Sequence, residues 1–133
     1  MKRILVAYDG CEPARRALDV AIDLAKRYDA LVSVVSVIPI LPGRTPNDPW
    51  EDTIVHARAL DEARAILAEH GIEAELLEPT GNPARTIERL VEVGEFDTVV
   101  VGSRGIGPVS GVLQGSVSGH VAIHADATVV IAR

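Results

Sequence analysis

The chain has a single cysteine, Cys11, so no disulfide framework can hold it together. Aromatic residues make up only 3% of its 133 residues: Tyr8, Tyr28, Trp50 and Phe96. The core must therefore rest on Val, Ile, Leu and Ala, the mixture that suits parallel strands buried between helices. Lysine is almost missing, with Lys2 and Lys26 alone, and 13 basic residues against 19 acidic ones leave a net charge of -6. That balance repels nucleic-acid backbones and anionic lipid at long range, so neither is expected as a partner. The longest apolar run, from Ala30 to Leu41, is broken by Ser33, Ser36 and Pro39 and falls short of the roughly 18 residues a membrane span needs. With no apolar signal-peptide core near the N-terminus, the expected compartment is the reducing cytoplasm.

What is present is an apolar fraction of 47%, enough for one packed domain over residues 1–133. Short β-branched runs alternate with stretches of helical period, the pattern of repeated βαβ units. Five strands are predicted: Arg3 to Tyr8, Leu31 to Ile38, Ile72 to Glu78, Thr98 to Val101 and Thr128 to Ala132. Pro13 marks the start of a first helix that runs to about Tyr28, with Ala17, Leu18, Ala21, Ile22 and Ala25 at three-and-four spacing. Asp48-Pro49 and Asn82-Pro83 supply cap-plus-proline starts for a second helix ending at His70 and a third ending near Gly94. A fourth helix precedes the last strand. Pro39 to Asn47 carries Pro39, Pro42, Gly43 and Pro46, and reads as an exposed loop.

Right-handed crossovers arrange such strands most simply as an open five-stranded parallel α/β sheet of order 3-2-1-4-5, with helices on both faces. Ligands bind outside the carboxyl ends of the strands where the winding reverses. Asp9 and Gly102 stand there. Between Gly102 and Gly119 lie six of the chain's eleven glycines. Such a run lets backbone N-H groups approach an anion, assisted by a helix N-terminus, the Ser116 hydroxyl and Arg104. The alternative is that the glycines serve tight turns and close helix-sheet packing. Asp9, likewise, reads either as a ligand contact or as an Asx turn capping the first helix. A Walker A loop is excluded, since no lysine lies near this segment. The dinucleotide fingerprint fails too, because Ser110 stands where Gly105-Ile106-Gly107-Pro108-Val109 would need a third glycine.

Gly102-Ser103-Arg104-Gly105, nine residues, then Gly115-Ser116 resembles the G-x2-G-x9-G-[S/T] pattern of ATP-binding members of the universal stress protein family. Val6-Ala7-Tyr8-Asp9-Gly10 with Glu12-Pro13 and the order of strands extend the resemblance along the chain. It implies a Rossmann-like fold of the adenine nucleotide alpha hydrolase-like type, and a stress-response regulator that binds ATP, usually with magnesium or manganese. By the same resemblance, Asp9 contacts the nucleoside, Val37 offers backbone to the adenine edge and Gly102 lies beside the ribose. Gly105, Gly115 and Ser116 cradle the phosphates, with Ser103 and Arg104 inside the motif.

Other chemistry is weaker. His120 and His124 are four apart on a helix but lack an evident third ligand, and read as surface or packing histidines. No serine stands in a G-x-S-x-G frame, and Cys11 reads as a small filler. No general base announces itself, so any ATP hydrolysis or autophosphorylation should be slow. A nucleotide-free interaction module is the remaining alternative. The apolar last strand is expected at a sheet edge, where it would pair two chains into a homodimer.

Overall fold

The computed structural model describes residues 1–39, 49–103 and 111–133. In chain order its elements are β1 (Arg3–Ala7), α1 (Glu12–Tyr28), β2 (Leu31–Val35), β3 (Ile38–Pro39), α2 (Pro49–Glu69), β4 (Ala74–Leu77), β5 (Thr80–Gly81), α3 (Pro83–Val93), β6 (Thr98–Gly102), α4 (Gly111–His124) and β7 (Thr128–Ala132). The main sheet is parallel, with order β4-β2-β1-β6-β7. Its strands in sequence order thus lie 3-2-1-4-5, as expected. No described helix is long and apolar enough to cross a membrane.

β1 is central because both its faces are apolar. Ile4, Val6 and Tyr8 alternate onto one face and pack with Ala17, Leu18, Ala21 and Ile22 of α1 and with Ala63 and Leu67 of α2. Leu5 turns the other way, against Ile87 and Val91 of α3 and Val121 of α4. A strand alternation of two feeding two separate cores is what a sheet covered on both sides requires. α1 buries Ala14, Ala17, Leu18, Ala21, Ile22 and Ala25. Its wet face carries the pairs Glu12–Arg16, Arg15–Asp19 and Asp23–Arg27 at i,i+4 spacing. The Asn82 side chain caps α3 by accepting from the Arg85 N-H at 3.1 Å.

The expected second strand, Leu31 to Ile38, is divided. Ser36 N-H donates to the Leu77 carbonyl at 3.0 Å and Ile38 N-H to the Pro79 carbonyl at 2.8 Å. Between them, a parallel ladder needs residue 79 to donate to the Ser36 carbonyl, and proline has no N-H to give. The pairing resumes as the small β3-β5 ribbon, where Ile38 faces Thr80 and Pro39 faces Gly81. Pro39 therefore belongs to this ribbon and not to the expected loop; residues 40–48, with Asp48, lie outside the described residues. Other boundaries shift by a residue or two: β1 ends at Ala7, α2 at Glu69 and β4 spans Ala74–Leu77.

The amino-terminal rim of the sheet is tied by one side chain. Asp97 accepts from the N-H groups of Lys2 (2.6 Å) and Arg3 (3.2 Å) and from the Thr98 hydroxyl (2.8 Å), while its carbonyl accepts from Thr128 N-H at 3.0 Å. Desolvation pushes the carboxyl upward, but the Lys2, Thr98 and Arg3 hydrogen bonds and the N-terminal charge outweigh it and hold the carboxyl below its ordinary value.

Candidate functional site

The carboxyl ends of β1, β2 and β6 meet where the winding reverses. Just past β1, Tyr8 N-H still donates to the Val35 carbonyl at 2.9 Å. The chain then leaves the sheet: the Asp9 carboxylate accepts from Cys11 N-H at 3.1 Å, and Gly10 takes φ +86°, a left-handed conformation open mainly to glycine. Asp9 thus forms the Asx turn that starts α1, and it remains half-buried at the rim. Cys11 occupies the N-cap position without a side-chain cap and packs against the α1–α2 core, as a small filler would.

The departure of β1 changes the surroundings of β2. Ser36 and Ile38 turn their N-H groups toward β4 and β5, whereas the Val35 carbonyl faces β1. By strand alternation the backbone edge of Val37 faces the side that β1 has vacated at Asp9-Gly10. Asp9 and Val37 are therefore brought to one crevice by hydrogen-bond register.

Gly102 closes the other side. A Cβ built there would lie 2.5 Å from the Pro13 carbonyl oxygen, 2.6 Å from its carbon and 3.0 Å from Ala14 N. The end of β6 rests directly on the first turn of α1, so the packing use of glycine holds at this position. Ser103 follows, its N-H donating to the Ala132 carbonyl at 2.6 Å. Arg104 and Gly105 lie outside the described residues. Gly115 and Ser116 fall in the second turn of α4, which begins at Gly111. An α-helix leaves the N-H groups of its cap and its first three residues without partners inside the helix, here, among the described residues, those of 111–113. The amide of Gly115 is taken up by the helix ladder, so the donors a phosphate would meet belong to the turn before it.

Two contacts beside the crevice are not legible in the sequence. The buried Ser36 hydroxyl shares a 2.5 Å hydrogen bond with Nδ1 of His56 on α2. One turn on, the Ala59 methyl would be 3.9 Å from a Cβ at Gly10, so α2 bridges the ends of β1 and β2. Tyr8 is the second case: its hydroxyl donates to Glu62 Oε1 at 2.8 Å, with Arg15 3.8 Å from the same oxygen. Burial, then the Glu62 hydrogen bond and charge, push the phenol up to about 12 despite Arg15. The one available signal was polar groups, Ser36 and Tyr8, at otherwise apolar strand ends, since buried hydroxyls find partners.

Among the described residues, no group of three or more His, Cys, Asp or Glu side chains is arranged to hold a metal ion. A magnesium ion accompanying a nucleotide is held largely by phosphate oxygens and water, which asks for no such group. A groove of about 530 Å³ lined by Arg64, Ala68, Ile72 and Glu75, among others, lies at the start of β4. It is at the opposite rim and plays no part here.

Comparison with known proteins places these features in context. A sequence model described as the universal stress protein family matches residues 1–133. The chain is similar to the "Universal stress protein in QAH/OAS sulfhydrylase 3'region" of Thermus aquaticus, with 32% identity over 137 residues covering 99% of this chain and 98% of that one. It is 30% identical over 145 residues to universal stress protein YxiE of Bacillus subtilis, with 98% of each chain covered. Among solved structures, the universal stress protein from Archaeoglobus fulgidus in complex with dAMP superposes with a TM-score of 0.79 at 26% identity, covering 100% of this chain and 98% of that one.

Proposed function

The chain belongs to the universal stress protein family, and from that membership we propose that it binds an adenine nucleotide at the crevice between β1, β2 and β6 and works as a nucleotide-dependent stress-response regulator in the cytoplasm. The observation that carries this reading is the strand edge at Val37, left facing the space that β1 vacates beside Asp9. A backbone edge with no strand partner among the described residues, next to a carboxylate, suits the donor and acceptor pattern of an adenine and its ribose. The related dAMP complex supports the ligand class. Asp9 and Gly102 flank the nucleoside, and Val37 reads the base edge. The phosphates extend toward Ser103, Arg104, Gly105 and the α4 start that precedes Gly115 and Ser116, where helix dipole and free amides offset the net charge of -6. In this reading the physiological ligand is ATP with Mg2+ or Mn2+.

Calorimetric titration of the purified chain with MgATP and with AMP tests this. One nucleotide per chain is expected to bind, with MgATP tighter than AMP. Absence of heat from both at millimolar concentration overturns the reading.

The same reading includes a homodimer. Among the described residues β7 is an edge strand paired only with β6, and Ile131 on it is 42% exposed. An apolar edge of this kind is a template for a second copy. Sedimentation at micromolar concentration is expected to give the mass of two chains, reduced to one by Ile131→Lys. A single-chain mass for the unaltered protein removes the dimer from the proposal.

A further inference from the structure

At the far end of α4, away from the crevice, two histidines and a carboxylate form a cluster that nucleotide binding does not use. His120 and His124 are one turn apart on α4, their ring centroids 4.3 Å from each other and their planes inclined by 40°. From α3, Glu88 Oε1 lies 2.5 Å from His120 Nδ1. The Glu88 side chain is 19% exposed and that of His120 43%, so the carboxylate is set behind the ring while the ring reaches water. α3 and α4 each lead from the carboxyl rim of the sheet to its amino rim, so they run parallel. Glu92, four residues after Glu88, is placed one turn further along, toward the level of His124.

A carboxylate on Nδ1 accepts the ring's N-H and leaves Nε2 with the lone pair, which is how outer-shell carboxylates orient metal-binding histidines. Metal-nitrogen distances of about 2.0–2.1 Å place the centroids of two imidazoles sharing one tetrahedral ion roughly 5 Å apart. The observed 4.3 Å requires the rings to open by less than about 1 Å. The Glu88 carboxylate beside the pair favours a cation, and the exposure of the rings lets water complete its coordination. We propose that His120 and His124 form a two-histidine chelate for a late first-row divalent ion (Zn2+, Ni2+ or Cu2+, the class imidazole prefers), with Glu88 as the outer-shell carboxylate that sets the His120 ring. The site is independent of nucleotide binding.

The test is calorimetric titration of the full chain with Zn2+ and, separately, Ni2+ at neutral pH in a non-coordinating buffer. A Cys11→Ser background removes the thiolate as a competing ligand. One ion per chain is expected, with binding lost in His120→Gln and in His124→Ala and unchanged in His70→Ala, whose ring is engaged by Lys26 at 2.7 Å. Glu88→Gln should weaken affinity about 10-fold while keeping one ion per chain, the size of outer-shell effects elsewhere. Both histidines lie at the surface, so circular dichroism should show the variants folded. Equal affinity in the unaltered chain and in the two α4 variants overturns the site, as does absence of binding at millimolar ion. Full affinity in Glu88→Gln overturns the role given to the carboxylate.

Discussion

Gly102→Ala is expected to cost about 2–3 kcal/mol of folding stability and to lower the thermal midpoint by roughly 6–12 °C. The new methyl would stand 2.5 Å from the Pro13 carbonyl oxygen and 3.0 Å from Ala14 N. Both are backbone atoms in the first turn of α1, so no side-chain rotation relieves the contact. α1 cannot easily retreat, because Ala14, Ala17, Leu18 and Ala21 already pack against β1 and α2, and interiors this dense respond to an added methyl with strain. Thermal unfolding followed by circular dichroism reads the effect directly. A midpoint within 2 °C of the unaltered protein, about the error of such a measurement in stability terms, would mean that β6 does not rest on α1 as described. A loss of nucleotide affinity in this variant would then report displaced structure as much as a lost ligand contact.

Gly115→Asp is expected to weaken MgATP about 100-fold while leaving the fold intact. A carboxylate within about 4 Å of a phosphate at an effective dielectric near 20 opposes it by up to about 4 kcal/mol, and screening by salt leaves some 2–3 kcal/mol of that. The fold should tolerate the change, because a negative charge near a helix N-terminus is itself stabilising by a few tenths to 1 kcal/mol. The same titration with Gly115→Asn separates charge from bulk: the neutral side chain should lose far less affinity. If the aspartate variant binds MgATP as the unaltered chain does, the phosphates lie elsewhere than at the start of α4. AMP, with one phosphate, should suffer less than MgATP.

These two glycines also show how far the sequence could be read. Its periodicities were sufficient for the main sheet, because strands flanked by helices on both faces must be apolar throughout and few topologies accommodate five of them. Asn82-Pro83 announced α3 through local chemistry alone. Pro79 was equally visible, but its effect depends on which strand lies beside it, and the break in β2 follows only once Leu77 and Pro79 are known to pair with Ser36 and Ile38. The site divides in the same way. The position of Asp9 at the switch point was legible from the strand ends, and the position of Val37 at the same crevice only through the family resemblance. That Gly102 packs on Pro13, that His56 reaches Ser36 across 20 residues and that Glu88 meets His120 across 32 are long-range facts that no local pattern encodes.

The Asp97 clasp has an implication for how such a scaffold can diversify. One residue gathers the beginnings of β1, β6 and β7, its carboxylate through Lys2, Arg3 and Thr98 and its main-chain carbonyl through Thr128, so alignment of the layer is settled at its foundation. Segments leaving the opposite margin are relieved of that duty and can lengthen, shorten or exchange residues without unseating the strands. Division of labour between a stitched hem and an editable border lets one architecture be retuned to new cargo by altering only what hangs from its upper side.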